Sequence, residues 1–378
     1  MADSVRTSTK GAVMHLMDIL RYRTVPGSAV YLALTRRCPL SCRHCSTDSM
    51  LSSEEHGAEL FLDFAHTFTA EDHPEVVLMS GGEALLRPRL VRDIARHAAS
   101  VGTRSYIASG MYFARTGRIP GPLREAIDAV DHFTASLDAF HEEEVPRAAV
   151  LRILRRLVDE GKDVSIQLVG MGDADPYLAE ATADVRETLG DRVPMLVGLV
   201  GATGRAAEWM TERRRDLTHM PLAAAPQPCG VASWPIVAFD GTVIACCNQR
   251  LVDLGRHAPE HLKLGHAATD GWPEIRARSG GSPTLRAIRT VGPRYILQQA
   301  GGSPPAGQCD ACYELSAPAP AGWAAEYVAR PSFPALESAT RHLVGAEGPA
   351  GFARQYGSVR YADLVTLGYR SKEEQCAG

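Results

Sequence analysis

The sequence predicts an α/β fold in which parallel strands form a barrel or part of one, with a smaller module after it. Three observations predict this fold. Six short apolar runs alternate with helical patterns between residues 30 and 200. Polar motifs follow the first four runs, where the functional loops of parallel barrels lie. After about residue 225 the chain becomes rich in Pro, Gly and Ala, with only short apolar pieces.

The predicted strands carry turn signals at their ends, and a right-handed succession of strand–helix units leads to a parallel barrel. The helix between the fourth and fifth strands has the clearest limits. Pro146 suits its first turn and Gly161 suits its C-terminal cap. The six strands are predicted at residues 31–34, 76–79, 104–108, 133–137, 164–169 and 194–199.

A β-hairpin is predicted at the start of the second module, because Asp240-Gly241 separates the apolar pieces 236–239 and 242–245. The tail after this module is expected to be helical in parts. The predicted division is an N-terminal extension at 1–29, the barrel at 30–225, the second module at 226–320 and a C-terminal tail at 321–378.

Composition excludes several classes of protein. The 378 residues are 45% hydrophobic and 22% charged, which predicts a soluble globular protein. A net charge of -4 offers no basic excess for nucleic acid. We expect neither a signal peptide nor a membrane span, because His15 and Asp18 interrupt the one apolar patch near the N-terminus. Nine cysteines without an export signal then predict a reducing, cytoplasmic location and metal ligands rather than disulfides.

Three of the cysteines, Cys38, Cys42 and Cys45, follow the first strand on one short loop. A fully ligated iron–sulfur cubane takes four protein thiolates, so three would leave one iron open to a substrate or cofactor. A zinc site with a distant fourth ligand is the alternative that this spacing allows.

This loop resembles the CxxxCxxC signature of the radical S-adenosylmethionine (SAM) superfamily, and the resemblance covers about residues 30–210. It implies a partial (β/α)6 barrel, a [4Fe–4S] cluster on the three cysteines and SAM bound at the open iron. His44 stands before the third cysteine, where that family usually carries an aromatic residue that packs near the cofactor.

Two further motifs are similar to elements of the same family. Gly81-Gly82-Glu83, after the second strand, resembles its GGE element. The glycines would let backbone approach SAM, and Glu83 would accept hydrogen bonds from the SAM ammonium group. Ser136 and Asp138, after the fourth strand, look like the polar pair that the family aims at the SAM ribose. A helix N-cap is the alternative for this pair.

Two more residues are candidates for the site. His141 opens an acidic turn, Glu142 to Glu144, and is either part of a solvated helix start or an acid or base on the substrate side. Gly204-Arg205-Ala206 resembles a short element of radical SAM enzymes that carry an extra cluster domain. Arg205 would bind the SAM carboxylate or fix the domain junction, and a plain surface arginine is the alternative.

A second set of cysteines, Cys229, Cys246, Cys309 and Cys312, resembles the start of the auxiliary-cluster domains called SPASM and twitch. The full SPASM pattern continues with more cysteines, and this chain has none before Cys376. The resemblance therefore implies a twitch-like domain with one auxiliary [4Fe–4S] cluster on four thiolates. A structural zinc is the alternative.

Cys247 is the surplus thiol beside this set, and Cys376 is expected to be uninvolved. Neighbouring side chains on a strand point to opposite faces, so Cys246 and Cys247 are not expected to bind one cluster together, and either one is the ligand. A free Cys247 at the barrel mouth would donate a hydrogen atom to a substrate radical, as radical epimerases need. The alternative is a small buried apolar residue.

The resemblance implies an oxidoreductase. A donor such as flavodoxin or ferredoxin would supply one electron to cleave SAM, the 5′-deoxyadenosyl radical would take hydrogen from a substrate C–H bond, and the auxiliary cluster would accept an electron. Only 37 residues precede Cys38, which favours a small alcohol or amino sugar in natural-product tailoring over a peptide. The alternatives are cross-linking or epimerisation of a ribosomal peptide, with a separate leader-binding protein, and a non-catalytic zinc- or cluster-binding scaffold.

Overall fold

A computed structural model describes residues 14–214, 227–305 and 307–369, so Cys376 lies outside the described residues. Six parallel strands form the body of one sheet, in the order β6-β5-β4-β3-β2-β1. All six confirm the sequence prediction to within two residues. They are β1 (Ala29–Ala33), β2 (Val76–Ser80), β3 (Arg104–Ser109), β4 (His132–Ser136), β5 (Asp163–Gly170) and β6 (Met195–Leu199).

Helices follow the strands, as the alternation predicted. α6 has Pro146 as its N-cap and ends at Asp159, two residues before Gly161, whose φ of 86° favours glycine. The first eight helices are α1 (Leu16–Arg21), α2 (Ala58–His66), α3 (Pro88–Val101), α4 (Gly121–Ala129), α5 (Ala139–Glu142), α6 (Arg147–Asp159), α7 (Pro176–Leu189) and α8 (Ala206–Arg214).

The predicted hairpin is present as β7 (Ile236–Val237) and β8 (Thr242–Ile244), with Gly241 at a φ of 87° in the turn. Its first strand pairs in parallel with β1, which the sequence did not indicate. A further strand, β9 (Lys263–His266), pairs with β8. The result is one nine-stranded sheet that runs from the barrel into the second module. The predicted boundary at 225 falls on undescribed residues and stays a prediction.

The rest of the chain is helical. In the second module lie α9 (Gln249–Leu254), α10 (Trp272–Gly281), α11 (Pro283–Val291), α12 (Pro293–Gln299) and α13 (Gln308–Tyr313). α14 (Pro318–Val328) crosses the predicted boundary between this module and the tail. The predicted tail contains α15 (Phe333–Tyr356), which bends at Gly348. It packs against α1, where Leu16, Leu20 and Phe352 form a buried cluster. None of the helices within the described ranges has both the length and the apolar character to cross a membrane.

Candidate active site with two cysteine sets

A cavity of about 660 Å³ lies inside the open barrel. It is bounded by the strands, by the loops that follow them, by α1, by α15 and by the segment after β8. Most of the candidate residues border it, whereas Glu83 and the four cysteines of the second set do not. The candidates that line it are Cys38, Cys42, His44, Cys45, Gly81, Gly82, Ser136, Asp138, His141, Arg205 and Cys247.

The loop that carries the first three cysteines is held mainly by its own backbone. The amide of Cys38 donates to the Met50 carbonyl over 3.2 Å, and the amide of Cys45 donates to the Cys42 carbonyl over 3.1 Å. The Sγ of Cys45 accepts a hydrogen bond from the Ser49 amide at 3.4 Å. Burial raises the pKa of Cys38 to about 12. A thiolate at this position therefore needs a cation beside it, which a bound iron cluster would supply.

Gly204 and Arg205 fasten this loop to the end of the barrel. The Arg205 amide donates to the Cys45 carbonyl over 2.9 Å, and Nε donates to the Cys42 carbonyl over 3.0 Å. Its Nη1 also forms an ion pair with Asp48 at 3.0 Å. Gly204 has a φ of 52°, and a Cβ there would collide with the Cys45 carbonyl. Arg205 thus positions two of the three cysteines through their backbone.

Gly81 and Gly82 allow the loop after β2 to pack directly on the loop after β1. The Gly82 amide donates to the Thr35 carbonyl over 2.7 Å. A Cβ on Gly81 would meet the Thr35 backbone, and one on Gly82 would meet the Arg37 carbonyl. Gly81 also has a φ of 140°, which an L-residue with a side chain rarely adopts. The two glycines therefore bring the second loop to the edge of the cavity.

Glu83 is fully buried, and protein groups occupy its carboxylate. Oε1 accepts from the Leu85 amide at 3.0 Å, while Oε2 accepts from the Ser109 hydroxyl at 3.0 Å and from the Gly110 amide at 2.9 Å. Burial raises the pKa of Glu83 to about 7. In this structure the carboxylate joins the loops after β2 and β3, and its predicted contact with an ammonium group stays a prediction.

Asp138 lies between two histidines, and the predicted N-cap role is present as well. Oδ1 accepts from the amides of Phe140 and His141 at the start of α5. Oδ2 lies 2.7 Å from Nδ1 of His141 and 3.3 Å from Nε2 of His44. Burial by itself would raise the pKa of Asp138, but the charge and hydrogen bond of His141 lower it well below its usual range. The carboxylate is therefore ionised and neutralised locally.

His44 faces the cavity with one buried nitrogen free. Its ring stacks on Phe140 at a centroid distance of 4.6 Å, and no hydrogen-bond partner reaches Nδ1 from the described part of the chain. A buried nitrogen without a partner is costly unless a ligand pairs with it. This nitrogen, together with the backbone of Gly81 and Gly82 at the edge of the cavity, fits a polar cofactor bound there.

The four cysteines of the second set come together in the structure. Cys229 precedes β7, Cys246 follows β8, and Cys309 and Cys312 lie on α13. Burial raises the pKa of Cys229 to about 11, and Cys309 adds to the shift. Burial also raises the pKa of Cys246, with contributions from Cys247 and Cys229, and the pKa of Cys312, with contributions from Cys229 and Cys309. Thiolates at these positions would repel one another, so the set fits a site that a metal centre neutralises.

Among the described residues, neither cysteine set has three sulfur atoms as close together as a single zinc ion would hold them. Four thiolates at 2.3 Å around one zinc lie about 3.8 Å from one another. Across the described ranges, His44, Asp138 and His141 are the one group of three whose possible ligand atoms, one from each residue, lie within 4.8 Å of one another. Neither cysteine set is that compact. A cubane distributes its thiolates over different irons and needs them farther apart.

Cys246 and Cys247 do not lie on the strand that was assumed from the sequence. β8 ends at Ile244, so the two cysteines lie in a bend rather than on a strand, and the argument from strand alternation does not apply. Cys246 lies near Cys247, Cys229 and Cys312, each of which adds to the rise in its pKa, and Cys247 also acts on Cys229. Either cysteine is therefore close enough to the second set to be its fourth ligand. Cys247 lines the cavity, where its Sγ accepts a hydrogen bond from Nη2 of Arg23 at 3.0 Å. Sequence reasoning missed Arg23, because no motif marks it.

Residues 32–181 match the family model of the radical SAM superfamily. They are a radical SAM domain. The match confirms the predicted radical SAM domain, and enzymes with this domain use a [4Fe–4S] cluster and SAM, the first cofactor pair predicted from the sequence. The matched range begins in β1 and ends in α7, so it includes the Cys38–Cys45 loop, the glycine motif and Asp138. Comparison with curated proteins finds no match.

Three solved structures are similar to the chain that carries this radical SAM domain. Streptococcus suis SuiB bound to precursor peptide SuiA is 14% identical, with a TM-score of 0.48, covering 71% of this chain and 68% of SuiB. SuiB bound to S-adenosylmethionine is 13% identical, with a TM-score of 0.45 and coverage of 66% and 65%. BtrN in complex with AdoMet and 2-DOIA is 13% identical, with a TM-score of 0.40 and coverage of 76% and 92%.

Proposed function

We propose that this radical SAM enzyme carries two [4Fe–4S] clusters and oxidises a small substrate in the cavity between them. Cys38, Cys42 and Cys45 hold the cluster that binds SAM. The auxiliary cluster is held by Cys229, Cys246, Cys309 and Cys312. The observation that carries the proposal is one cavity lined at once by the first cysteine loop and by Cys247, the neighbour of Cys246.

We infer from the register of the sheet that the second cysteine set lies nearer the amino end of β1 than the first set does. Cys38 follows the carboxyl end of β1. β8 runs antiparallel to β7, and through it Ile244 is level with Ile236 and Tyr31, in the middle of β1. Cys246 lies two residues beyond Ile244, in the bend that ends β8. A substrate between the two sets would contact SAM on one side and approach the auxiliary cluster on the other, which suits electron uptake from the substrate.

When bound, the first cluster and SAM supply one-electron chemistry that removes a hydrogen atom from an unactivated C–H bond. The chain's own residues position and shield this chemistry. Arg205 fixes the cysteine loop, the two glycines admit SAM to the cavity edge, and α1 with Phe352 closes the cavity on another side. A one-electron donor such as flavodoxin or ferredoxin would supply the electron. The limited volume favours a small alcohol over a long peptide segment.

Epimerisation with Cys247 as hydrogen donor is the second candidate, because Cys247 lines the cavity. Its thiol would pass a hydrogen atom to the substrate radical and become a thiyl radical, which one electron from the donor and one proton would return to the thiol. The product would differ from the substrate only in configuration. Cys247→Ala distinguishes the two reactions. Under epimerisation the variant would still form 5′-deoxyadenosine and would yield no epimer, whereas under oxidation it would still form the oxidised product.

Iron and sulfide per chain, with 5′-deoxyadenosine formed under dithionite, test the proposal after anaerobic reconstitution. We expect about eight irons in the wild type and in the matched control Cys247→Ala. We expect about four in Cys38/Cys42/Cys45→Ala, which would form no deoxyadenosine, and about four in Cys229/Cys246/Cys309/Cys312→Ala. About four irons in the wild type would remove the auxiliary cluster. Zinc without deoxyadenosine would contradict the whole proposal.

A further inference from the structure

Arg23 is a half-buried cation on the wall of the cavity, two residues after the end of α1. Its guanidinium lies over two aromatic rings, with Cζ 4.4 Å from the Trp234 centroid and 5.2 Å from the Phe352 centroid. Trp234 is itself only 1% exposed and is fixed by a 2.7 Å hydrogen bond from Nε1 to the Tyr22 carbonyl. The aromatic rings therefore hold the guanidinium in place and shield one side of it from water.

The guanidinium of Arg23 has donors to spare. It carries five N–H groups, and the one hydrogen bond that it makes to the described protein is the contact with Cys247 Sγ. No carboxylate of the described ranges lies within ion-pair distance of it. Arg205, the other arginine of the cavity, is by contrast paired with Asp48 and with backbone carbonyls.

No acidic side chain on the described cavity wall neutralises the positive charge of Arg23. Asp138 is the one carboxylate on the described wall, and His44 and His141 neutralise it. Arg205 is neutralised by Asp48. A positive charge that is partly removed from water and lacks an acidic partner attracts an anion, and a guanidinium binds carboxylates and phosphates through paired N–H donors.

We propose that Arg23 binds an oxyanion of the substrate, a carboxylate or a phosphate group, beside Cys247. The inference rests on the proposed function in that it takes the cavity as the substrate site. We assign this site to the substrate rather than to SAM, because the family places SAM at the first cysteine loop, whereas the guanidinium of Arg23 bonds to Cys247, which lies beside the second set. The substrate thus carries its negative group toward the auxiliary cluster. The amino group of an amino sugar would be repelled from this position.

Two alkylating reagents of similar size and different charge test the inference without knowledge of the substrate. Iodoacetate carries a carboxylate and iodoacetamide is neutral, and a cysteine thiolate displaces iodide from either reagent to form a C–S bond. The probe reaction is the labelling of Cys247 in the reconstituted enzyme, located by peptide mass spectrometry, with Cys247→Ala as the blank. The ratio of the iodoacetate rate to the iodoacetamide rate measures how strongly the Arg23 guanidinium attracts a carboxylate to Cys247.

We expect this ratio to fall about tenfold in Arg23→Met, because one charge-assisted hydrogen-bond pair is lost, and to fall less in Arg23→Lys. Arg21→Met is the matched control, since Arg21 is exposed and does not line the cavity, and it should keep the wild-type ratio. Inorganic phosphate and acetate, added separately, should slow the iodoacetate reaction. The stronger of the two competitors identifies the class of oxyanion.

An equal ratio in the wild type and Arg23→Met, no protection by either anion, or no labelling of Cys247 by either reagent would overturn the inference. Its failure is separate from that of the proposed function, which iron content and deoxyadenosine formation decide. An Arg23→Met enzyme with about eight irons and an unchanged ratio would leave the two clusters in place and remove only the oxyanion site.

Discussion

Nε2 of His261 lies 3.7 Å from Sγ of Cys312, and Nδ1 of the same ring lies 2.8 Å from the Ser316 hydroxyl. Burial lowers the pKa of His261 to about 4, so the ring is neutral near pH 7 and carries one N–H. When the Ser316 hydroxyl donates to Nδ1, the N–H is on Nε2 and donates to the sulfur of Cys312.

His261→Phe should lower the midpoint potential of the auxiliary cluster. A hydrogen bond to a ligating sulfur stabilises the reduced, more negative cluster, and the phenyl ring cannot donate one. Ser316→Ala should shift the potential in the same direction and by less. The measurement is a redox titration followed by electron paramagnetic resonance in the Cys38/Cys42/Cys45→Ala background. An unchanged potential at full iron content would contradict the prediction, and His257→Phe, at an exposed neighbour, is the control.

Gly204→Ala should reduce iron at the first cluster and leave the auxiliary cluster loaded. The added methyl group would collide with the Cys45 carbonyl, and the φ of 52° is itself unfavourable for alanine. Iron per chain should then fall from about eight toward about four. Gly201→Ala is the control in the same loop, because the nearest atom to its Cβ is 3.9 Å away. Full iron in Gly204→Ala would refute the role given to this close contact.

Glu83→Gln should destabilise the chain even without SAM. Three donors point at the carboxylate, and an amide nitrogen in its place would face at least one of them. The expected loss is about 1–3 kcal/mol in the free energy of unfolding, measured with urea. Glu71→Gln, at an exposed position, should change it little. Unchanged stability of Glu83→Gln, together with weaker SAM binding, would instead favour the ligand contact predicted from the sequence.

His132 should make the chain less stable in mild acid. It is 1% exposed, its Nδ1 lies 2.6 Å from the Met14 carbonyl, and burial lowers its pKa from 6.5 to about 3. The unfolded chain therefore binds a proton that the folded chain does not. Stability is complete above pH 6.5 and falls as the pH drops toward 3, by up to about 1.4 kcal/mol per pH unit from this group.

Urea unfolding of the iron-free chain at about pH 7.5 and about pH 5 measures this effect. His132→Gln should reduce the difference between the two values, since Gln can donate to Met14 and accept from Ser165 without titrating. The same pH dependence in the wild type and the variant would show that other groups cause it. His15, whose pKa burial also lowers, should account for part of the slope that remains.

The strands and most of the cavity wall were predictable because their signals are local. Each strand of the barrel is an apolar run between turn residues, and the polar motifs after them converge because parallel strands end at one edge. The hairpin was visible in Asp240-Gly241. Its parallel pairing with β1 involves only Tyr31 with Ile236 and Leu32 with Val237, and so short a contact between distant segments leaves no pattern in either segment.

Other parts of the site depended on three-dimensional contacts. Glu83 carries a family motif, yet whether its oxygens face a ligand or the Ser109 hydroxyl depends on how the loops pack. Cys246 and Cys247 are adjacent and chemically identical, and only the packing of the bend after Ile244 shows that Cys247 lines the cavity while it also lies near Cys229. Arg23 belongs to no motif, and its role depends on Trp234, which lies 211 positions later in the sequence.

The continuous sheet restricts how this chain can be divided or recombined. β1 is an interior strand because β7 covers one of its edges. A fragment that ended near residue 214 would expose the backbone donors and acceptors of that edge and would be prone to strand-to-strand aggregation. Exchange of the second module between relatives would likewise have to preserve the pairing of β1 with β7. The whole nine-stranded sheet should therefore be kept intact when this chain is truncated or recombined, because the barrel strands alone would leave one edge of β1 unpaired.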